Sequence, residues 1–159
     1  MAQDKYSEAE IAIQDVRIGW TNFSGQAGLY NKKGETFFEL FLTPEQADRL
    51  AEMGYAVRYP EQTKENLEDE YEAEAHMRIK MKMDGARPPK IVIVNGAEDH
   101  ATILDEETVG ILDTTDIQKV DIVFRPYDWT FNADTGRSAW LKALYVTINK
   151  YAFDDKYNL

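Results

Sequence analysis

The chain contains no cysteine, which excludes a disulfide framework, a thiolate zinc site and a cysteine nucleophile. No apolar run approaches the roughly 20 residues of a transmembrane helix, and the first residues, MAQDKYSEAE, do not form a signal peptide. The phosphate-binding pattern GxxxxGKS/T and the hydrolase pattern GxSxG are also absent. We therefore expect a soluble cytoplasmic protein without thiol chemistry or a recognisable phosphate-binding loop.

Basic residues are in the minority, because 18 lysines and arginines stand against 29 acids, giving a formal net charge of −11. Such a balance ordinarily argues against binding to nucleic acid, where affinity comes largely from neutralising phosphates. The charge is uneven, however: residues 61–74 hold seven acids and one lysine, whereas residues 76–90 hold five cations and one acid. A basic face on an acidic body is therefore compatible with a polyanionic partner.

The part of the sequence most informative about function is a pair of apolar, β-rich runs around a turn-rich loop. The runs are residues 120–129 and 139–148, and the loop is 132–137. This pattern predicts a β-hairpin. Because side chains alternate across a strand, Arg125, Tyr127 and Trp129 should share one face, where a cation and two rings suit single-stranded nucleic acid. The alternative is that both rings are ordinary core or edge aromatics.

A second signal is strict alternation of apolar and polar residues in the segment 74–83. The predicted strand turns Met77, Ile79, Met81 and Met83 to one face and His76, Arg78, Lys80 and Lys82 to the other. Neighbouring cations on such a strand lie about 6.6 Å apart. They repel one another unless an anion or opposing acids neutralise them. The row is therefore either a polyanion contact or a solvent face paired with the abundant acids.

A third signal is the segment 21–34, TNFSGQAGLYNKKG, which reads as a long loop with three glycines. It carries two aromatic residues, Phe23 and Tyr30, and two cations, Lys32 and Lys33. Exposed rings and cations on a loop suit the capture of a single strand. The alternative is a plain connection whose aromatic residues fold onto the core.

The remaining pattern predicts about seven short strands, one clear helix and no alternation of strands with helices. Residues 11–20 change phase at 14–15, which predicts a bulge or bend. Thr43, Pro44 and Gln46 predict the start of a helix that ends at Gly54. We expect a mainly β protein with one or two short helices, built as a small antiparallel β-barrel of the oligonucleotide-binding (OB-fold) type. One domain should span residues 1–159, with a short flexible N-terminus and C-terminal tail.

Signals for catalysis are weak. His76 and His100 lack metal-ligand spacing. Glu98, Asp99, His100 and Asp105 could gather a divalent ion as nucleases do, but the acid pattern expected at a nuclease strand end does not accompany them. A metal-dependent nuclease is therefore the enzymatic alternative. An acidic protein-interaction or inhibitory module is the non-enzymatic one.

Five blocks, taken in order, resemble phage-encoded single-stranded-DNA-binding proteins with an OB-fold barrel over roughly residues 11–157. They are RIGWTNFSG at 17–25, PPKIVIV at 88–94, LDEETVGILD at 104–113, VDIVFRPYDW at 120–129 and AWLKALYVTI at 139–148. The resemblance implies a non-catalytic protein without a cofactor, which coats single-stranded DNA in the host cytoplasm during replication or recombination. It implies replication or recombination proteins as further partners; self-association is left open.

The resemblance also assigns candidate DNA-binding residues. They are Arg17, Trp20 and Phe23 in the first block, and Arg125, Tyr127, Trp129, Trp140 and Lys142 in the closing hairpin. The phase that Trp140 shares with Leu144 and Val146 favours a core position for that ring. An acidic C-terminal tail that recruits partners is common among such proteins, whereas the ending DDKYNL has only Asp154 and Asp155.

Overall fold

Alternating apolar residues form eight strands in the part of the chain that this computed structural model describes, residues 9–26, 34–59, 74–95 and 100–148. The strands are β1 (Ile11–Val16), β2 (Ile18–Asn22), β3 (Thr36–Leu42), β4 (Ala75–Met81), β5 (Lys90–Asn95), β6 (His100–Leu104), β7 (Ile117–Phe131) and β8 (Asp134–Ile148). One α-helix, α1 (Pro44–Glu52), and one 3-10 helix (Val109–Thr114) complete the described elements. The expectations for Tyr30, Lys32, Lys33, Glu98 and Asp99 lie outside the described residues.

The strands form one mixed sheet in the order β1-β7-β8-β4-β3-β2, with β5 pairing to both β8 and β6. The prediction of a mainly β protein is confirmed. The sheet is not wholly antiparallel, because β4 and β5 both run parallel to β8. The segment between β4 and β5 does not reverse the chain direction, so both strands share one edge of β8 in tandem.

The first strand bends where the sequence changes phase, as predicted. Asp15 has φ of 56°, and the register of β1 on β7 shifts between Ile13 and Val16. Beyond the bend the chain leaves β7 and continues as β2, which pairs with β3. Arg17 alone separates the two strands, and its carbonyl accepts a hydrogen bond from the Phe41 N–H at 3.0 Å. The first and last strands of the sheet order, β1 and β2, are therefore consecutive in the chain.

The core lies on the inward faces of these strands. Met77, Ile79 and Met81 of β4 are buried, which confirms the alternation predicted there. Helix α1 has the predicted capping box: the Gln46 N–H donates to Thr43 Oγ1 at 3.2 Å, and the Thr43 N–H donates to Gln46 Oε1 at 3.0 Å. Neither helix of the described residues is long and apolar enough to cross a membrane.

The closing hairpin is longer and its turn tighter than predicted. Strands β7 and β8 pair as far as Phe131 opposite Asp134, so only residues 132 and 133 form the turn. The predicted loop 132–137 is wrong because Asn132 adopts a left-handed conformation, φ 55°, which allows a two-residue turn. The paired strands consequently extend past Trp129, and the strand face that contains Trp129 continues to the end of the hairpin.

Candidate nucleic-acid interface

One row of outward side chains crosses four neighbouring strands. Phe37 of β3 lies opposite Lys80 of β4, and Lys80 lies beside Trp140 of β8. Trp140 in turn lies opposite Arg125 of β7. Cross-strand neighbours project to the same face, so rings and cations alternate at the strand spacing of about 4.8 Å. We call these four residues the cross-strand row. It unites three candidate residues that are distant in sequence: Lys80, Arg125 and Trp140.

The predicted aromatic residues of β7 continue the same face along the hairpin. Tyr127 is 59% exposed and Trp129 is 40% exposed, so both rings lie on the surface and not in the core. Their cross-strand partners are small, Ser138 for Tyr127 and Gly136 for Trp129. Small partners leave the two rings open to a stacking ligand.

Cations of this face lack acidic partners. Lys80 and Lys82 are exposed and Arg125 is partly exposed, and none of them forms an ion pair or hydrogen bond with another described residue. Arg87, in the segment after β4, is likewise exposed and unpaired within the described ranges. The alternative that acids neutralise the basic row therefore holds for only one of its three predicted cations, Arg78.

Arg78 is held by a buried acid on the outward side of β3. Glu39 is 3% exposed; its Oε2 accepts from Arg78 Nε at 3.0 Å, and its Oε1 lies 2.8 Å from His76 Nδ1. The Arg78 guanidinium carbon lies 4.0 Å from the centre of the Phe37 ring. A cation over an aromatic face adds to the ion pair. Glu39 thus holds the Arg78 guanidinium over the Phe37 ring, which is itself part of the cross-strand row.

Trp20 extends the face at the β2 edge. Its indole is 65% exposed and makes edge contacts with Phe41 and His76, at centroid distances of 5.4 and 5.0 Å. Arg17 lies near the same ring cluster, 5.8 Å from the Phe41 centroid, and is ion-paired with Glu74. Trp20 therefore offers a free ring, whereas the charge of Arg17 is already neutralised.

Two predicted residues lie away from this face. Phe23 is 1% exposed and stacks on Phe38 with centroids 5.3 Å apart, so its ring belongs to the core, as the alternative for that loop stated. Its N–H donates to Asp113 Oδ1 at 2.8 Å. Burial raises the pKa of Asp113, but hydrogen bonds from Phe23 and Ser24 outweigh it and leave the pKa below its ordinary value. Lys142 is exposed and its Nζ donates to Glu10 Oε1 at 2.6 Å, beyond the cross-strand row.

The predicted core position of Trp140 is wrong, because a bulge shifts the phase of β8. Val123 of β7 pairs with Ala143, but the next residue, Phe124, pairs with Leu141. Lys142 is thereby an extra residue in the strand. The buried residues of β8 are odd-numbered before Lys142 and even-numbered after it. Trp140 therefore projects outward, with its side chain half-buried.

Trp140 stands between two open grooves. The first, the Lys80 groove, has a volume of about 410 Å³ and is lined by Trp140 together with Glu35, Phe37, Arg78, Lys80, Lys82 and Asp84. The second, the Arg87 groove, has a volume of about 330 Å³ and is lined by Trp140 together with Lys82, Arg87, Pro89, Arg125 and Leu141. Lys82 lines both grooves, so the cations of the two grooves form one continuous group around the indole.

Sequence reasoning missed Phe37, Phe41 and Arg87 as parts of this face. The signal for the two rings is present in TFFELFL, residues 36–42, which reads at first as a wholly buried strand. Phe37, Glu39 and Phe41 lie on the same face of the strand, because side chains alternate. An acid between two rings on one face indicates that this face lies outside the core. Arg87 carries no such signal because it lies outside a strand.

The candidate metal cluster around residue 105 has a structural explanation where it is described. Asp105 Oδ1 accepts hydrogen bonds from the N–H groups of Glu107 and Thr108 and from the Thr108 hydroxyl, at 2.9 to 3.0 Å. The hydroxyl and N–H of Thr108 hold the pKa of Asp105 below its ordinary value. Across the described ranges, no group of three or more histidines and acids could hold a metal ion.

The whole chain, residues 1–159, matches a family model described as phage ssDNA-binding domain. No curated protein matches the sequence significantly. Among solved structures, the single-stranded DNA-binding protein from bacteriophage Enc34 is similar in fold. Its C-terminal truncation gives a TM-score of 0.55 at 9% identity, covering 88% of this chain and 86% of that one. The structure in complex with ssDNA gives 0.50 at 10% identity, with coverage of 88% and 86%.

Proposed function

We propose that this chain, which belongs to the phage ssDNA-binding domain family, coats single-stranded DNA without strong sequence preference during phage DNA replication or recombination. The observation that carries the proposal is the cross-strand row, in which Phe37, Lys80, Trp140 and Arg125 alternate as ring and cation. A single strand presents the complementary pattern, because it alternates flat bases with charged phosphates.

Electrostatic attraction comes from the cations without acidic partners. When Lys80, Lys82 and Arg125 meet phosphates, condensed counterions leave the strand and their release favours binding. Three other surface cations are already ion-paired: Arg17 with Glu74, Lys119 with Asp15 at 2.8 Å and Lys142 with Glu10 at 2.6 Å. The net charge of −11 does not oppose this local contact, since exposed charges beyond about 8–10 Å are largely screened at physiological salt.

Stacking supplies the second part of the binding energy. Trp20, Tyr127 and Trp129 are exposed on the same outward face as the cross-strand row. Every base has a flat face that can stack on such rings, so the interaction tolerates any sequence. The proposed activity breaks no covalent bond and requires neither a metal ion nor a cofactor.

A retardation assay with labelled poly-dT, run with and without Mg²⁺, tests the proposal against its alternatives. We expect an intact, retarded strand under both conditions. Cleavage that depends on Mg²⁺ would instead support the nuclease. An unretarded, intact strand would support the acidic interaction module and contradict the proposed function.

A further inference from the structure

We infer that Trp140 divides the interface into a phosphate pocket and a base pocket, and that it inserts between adjacent nucleotides and thereby selects single strands over duplex. The inference rests on the proposed function and deepens it. It concerns Trp140, which the resemblance gave as a candidate but strand phase assigned to the core, and Arg87, which the sequence did not single out. The two grooves beside the indole differ in charge, because carboxylates line the Lys80 groove and none lines the Arg87 groove among its described residues.

The Arg87 groove has the chemistry of a phosphate pocket. Three cations line it, Lys82, Arg87 and Arg125, and no carboxylate is among its described lining residues. None of the three cations is paired with another described residue, so each can bind an anion without first leaving a partner. Guanidinium groups are also well shaped to bind phosphate oxygens in pairs.

The Lys80 groove has the chemistry of a base pocket. Glu35 and Asp84 line it beside Lys80 and Lys82, and its third cation, Arg78, is already bound by Glu39. A phosphate inside the groove would face two carboxylates, whereas the exposed Lys80 and Lys82 can meet phosphates at its rim. A base would instead meet the Phe37 ring and a mixture of hydrogen-bond donors and acceptors, which neutral base edges can satisfy.

Trp140 is held as the divider between these pockets. Its ring makes a T-shaped contact with Tyr127, with centroids 6.4 Å apart and planes at 75°. Lys80 and Arg125 flank it in register on the neighbouring strands. An indole between two pockets can stack on a base only if that base separates from its neighbour. A duplex resists this because its bases are paired and stacked, and a flexible single strand does not.

The phosphate pocket is tested by the salt dependence of binding to oligo-dT. Arg87→Ala should reduce the slope of log affinity against log salt by about 0.7, the value for one phosphate contact on a single strand. The matched control is Lys119→Ala, which removes the same charge from a residue paired with Asp15 at 2.8 Å. We expect this control to leave the slope unchanged. An equal slope for Arg87→Ala and the wild-type chain would overturn the phosphate pocket.

The divider is tested by comparing base-bearing and abasic single strands. Trp140→Leu should weaken binding to oligo-dT on the order of 5- to 150-fold, the equivalent of one lost stacking contact. Its affinity for an abasic strand and for duplex of equal length should remain nearly unchanged. The ratio of the affinity for single strands to the affinity for duplex should therefore fall. Trp140→Phe keeps a stacking ring and should restore most of the affinity. Melting temperatures of both variants identify any loss that is due to folding.

The outcomes separate the two proposals. If the wild-type chain binds no oligo-dT, both the proposed function and the division at Trp140 fail. If it binds, but Trp140→Leu weakens abasic strands and oligo-dT equally while remaining folded, only the division at Trp140 fails. A preference for single strands that survives Trp140→Leu unchanged would likewise overturn the selective role of the indole.

Discussion

The indole of Trp129 lies directly against Gly136, its partner across the β7–β8 hairpin. A Cβ atom on Gly136 would fall 2.2 Å from Cζ2 and 2.9 Å from Nε1 of that ring. Such distances are impossible for real atoms, so the absence of a side chain at Gly136 is what allows the ring to lie flat on the strand. Trp129 thereby packs closely on Gly136 while 40% of it stays exposed.

Gly136→Ala should therefore move the Trp129 ring without changing any charge. Gly136 does not have positive φ, so alanine can adopt its backbone conformation and the ring is the group that must shift. We expect weaker binding to oligo-dT, up to the roughly 1–3 kcal/mol that a lost stacking ring costs. Fluorescence titration measures the affinity, and Thr135→Ala, an exposed substitution on the same hairpin, serves as the control. Unchanged affinity would show that the orientation of this ring does not matter for binding.

Direct removal of the ring by Trp129→Ala should weaken binding by the same range, about 1–3 kcal/mol, with little effect on folding because the ring is substantially exposed. A base stacked on an indole also quenches its emission, so titration with oligo-dT should lower tryptophan fluorescence in the wild-type chain. Affinity and melting temperature are to be measured on the same variant. A large fall in melting temperature with unchanged affinity of the folded fraction would make Trp129 a residue of the fold.

Lys80 and Lys82 should carry part of the salt dependence of binding. Replacing both by alanine should reduce the slope of log affinity against log salt by about one to two units, because each phosphate contact contributes about 0.7. Lys142→Ala is a matched comparison, since that ammonium is already bound to Glu10 and should contribute less. Fluorescence anisotropy with oligo-dT at several salt concentrations gives the slopes. If Lys142→Ala changes the slope more than the double substitution does, the path of the strand lies elsewhere on the surface.

Local patterns predicted the parts of the structure that depend on neighbouring residues. The alternation in β4 and the capping box at Thr43 each place side chains by short-range geometry, and both are confirmed. The site depends in addition on which strands become neighbours. Lys80 and Arg125 meet through Trp140 only because β8 pairs with both β4 and β7. No periodicity within a single strand contains that information.

The predictions of a core position for Trp140 and an exposed position for Phe23 were wrong because both positions depend on contacts between distant parts of the chain. A bulge at Lys142 shifts the buried positions of β8 by one residue, and an alternation rule continued through it assigns Trp140 to the core. Phe23 is buried because its backbone is anchored by Asp113, which is distant in sequence, and because Phe38 offers a ring to stack on. Composition of the loop alone suggested exposure, whereas these long-range contacts determine burial.

Homopolymers should differ little in affinity. Stacking on Trp20, Tyr127 and Trp129 uses faces that every base has, and contacts to phosphates ignore sequence. We expect a modest preference for flexible pyrimidine strands in competition assays with oligo-dT, oligo-dC and oligo-dA of equal length. A hundredfold preference for one short motif would contradict stacking as the main contact and would point to hydrogen bonds with base edges.

An ion pair between the buried Arg137 and the half-exposed Asp128 lies in the strand that carries the exposed rings of β7. Arg137 is 4% exposed and donates from Nε to Asp128 Oδ1 at 2.6 Å and from Nη2 to Asp128 Oδ2 at 2.9 Å. It also donates from Nη1 to the Met53 carbonyl at 3.2 Å, which ties the hairpin to the end of α1. Asp128 stands between Tyr127 and Trp129 in the chain, so the pair anchors the strand that presents both rings.

Hydrogen bonds from Arg137 hold the pKa of Asp128 below its ordinary value of 3.8, although partial desolvation opposes them. A carboxyl whose pKa is lower in the folded state stabilises the protein above the unfolded value, and this contribution disappears as the pH falls through the lowered value. Asp128→Asn should therefore reduce the free energy of unfolding at pH 7 by about 1 kcal/mol, because the buried guanidinium loses its charged acceptor while solvent partly screens the half-exposed carboxylate. Below the lowered pKa the variant and the wild-type chain should converge.

Urea unfolding of Asp128→Asn and the wild-type chain across the acidic range tests this sign directly. Asp105 and Asp113 also have lowered pKa values, so the wild-type chain alone loses stability in acid for several reasons. The difference between the two proteins isolates Asp128, because every other carboxyl is common to both. Asp134→Asn at the tip of the same hairpin controls for the loss of a surface charge. A stability difference that stays constant as the pH falls would show that Asp128 does not act through its charge, and the anchoring of Tyr127 and Trp129 would then rest on strand pairing alone.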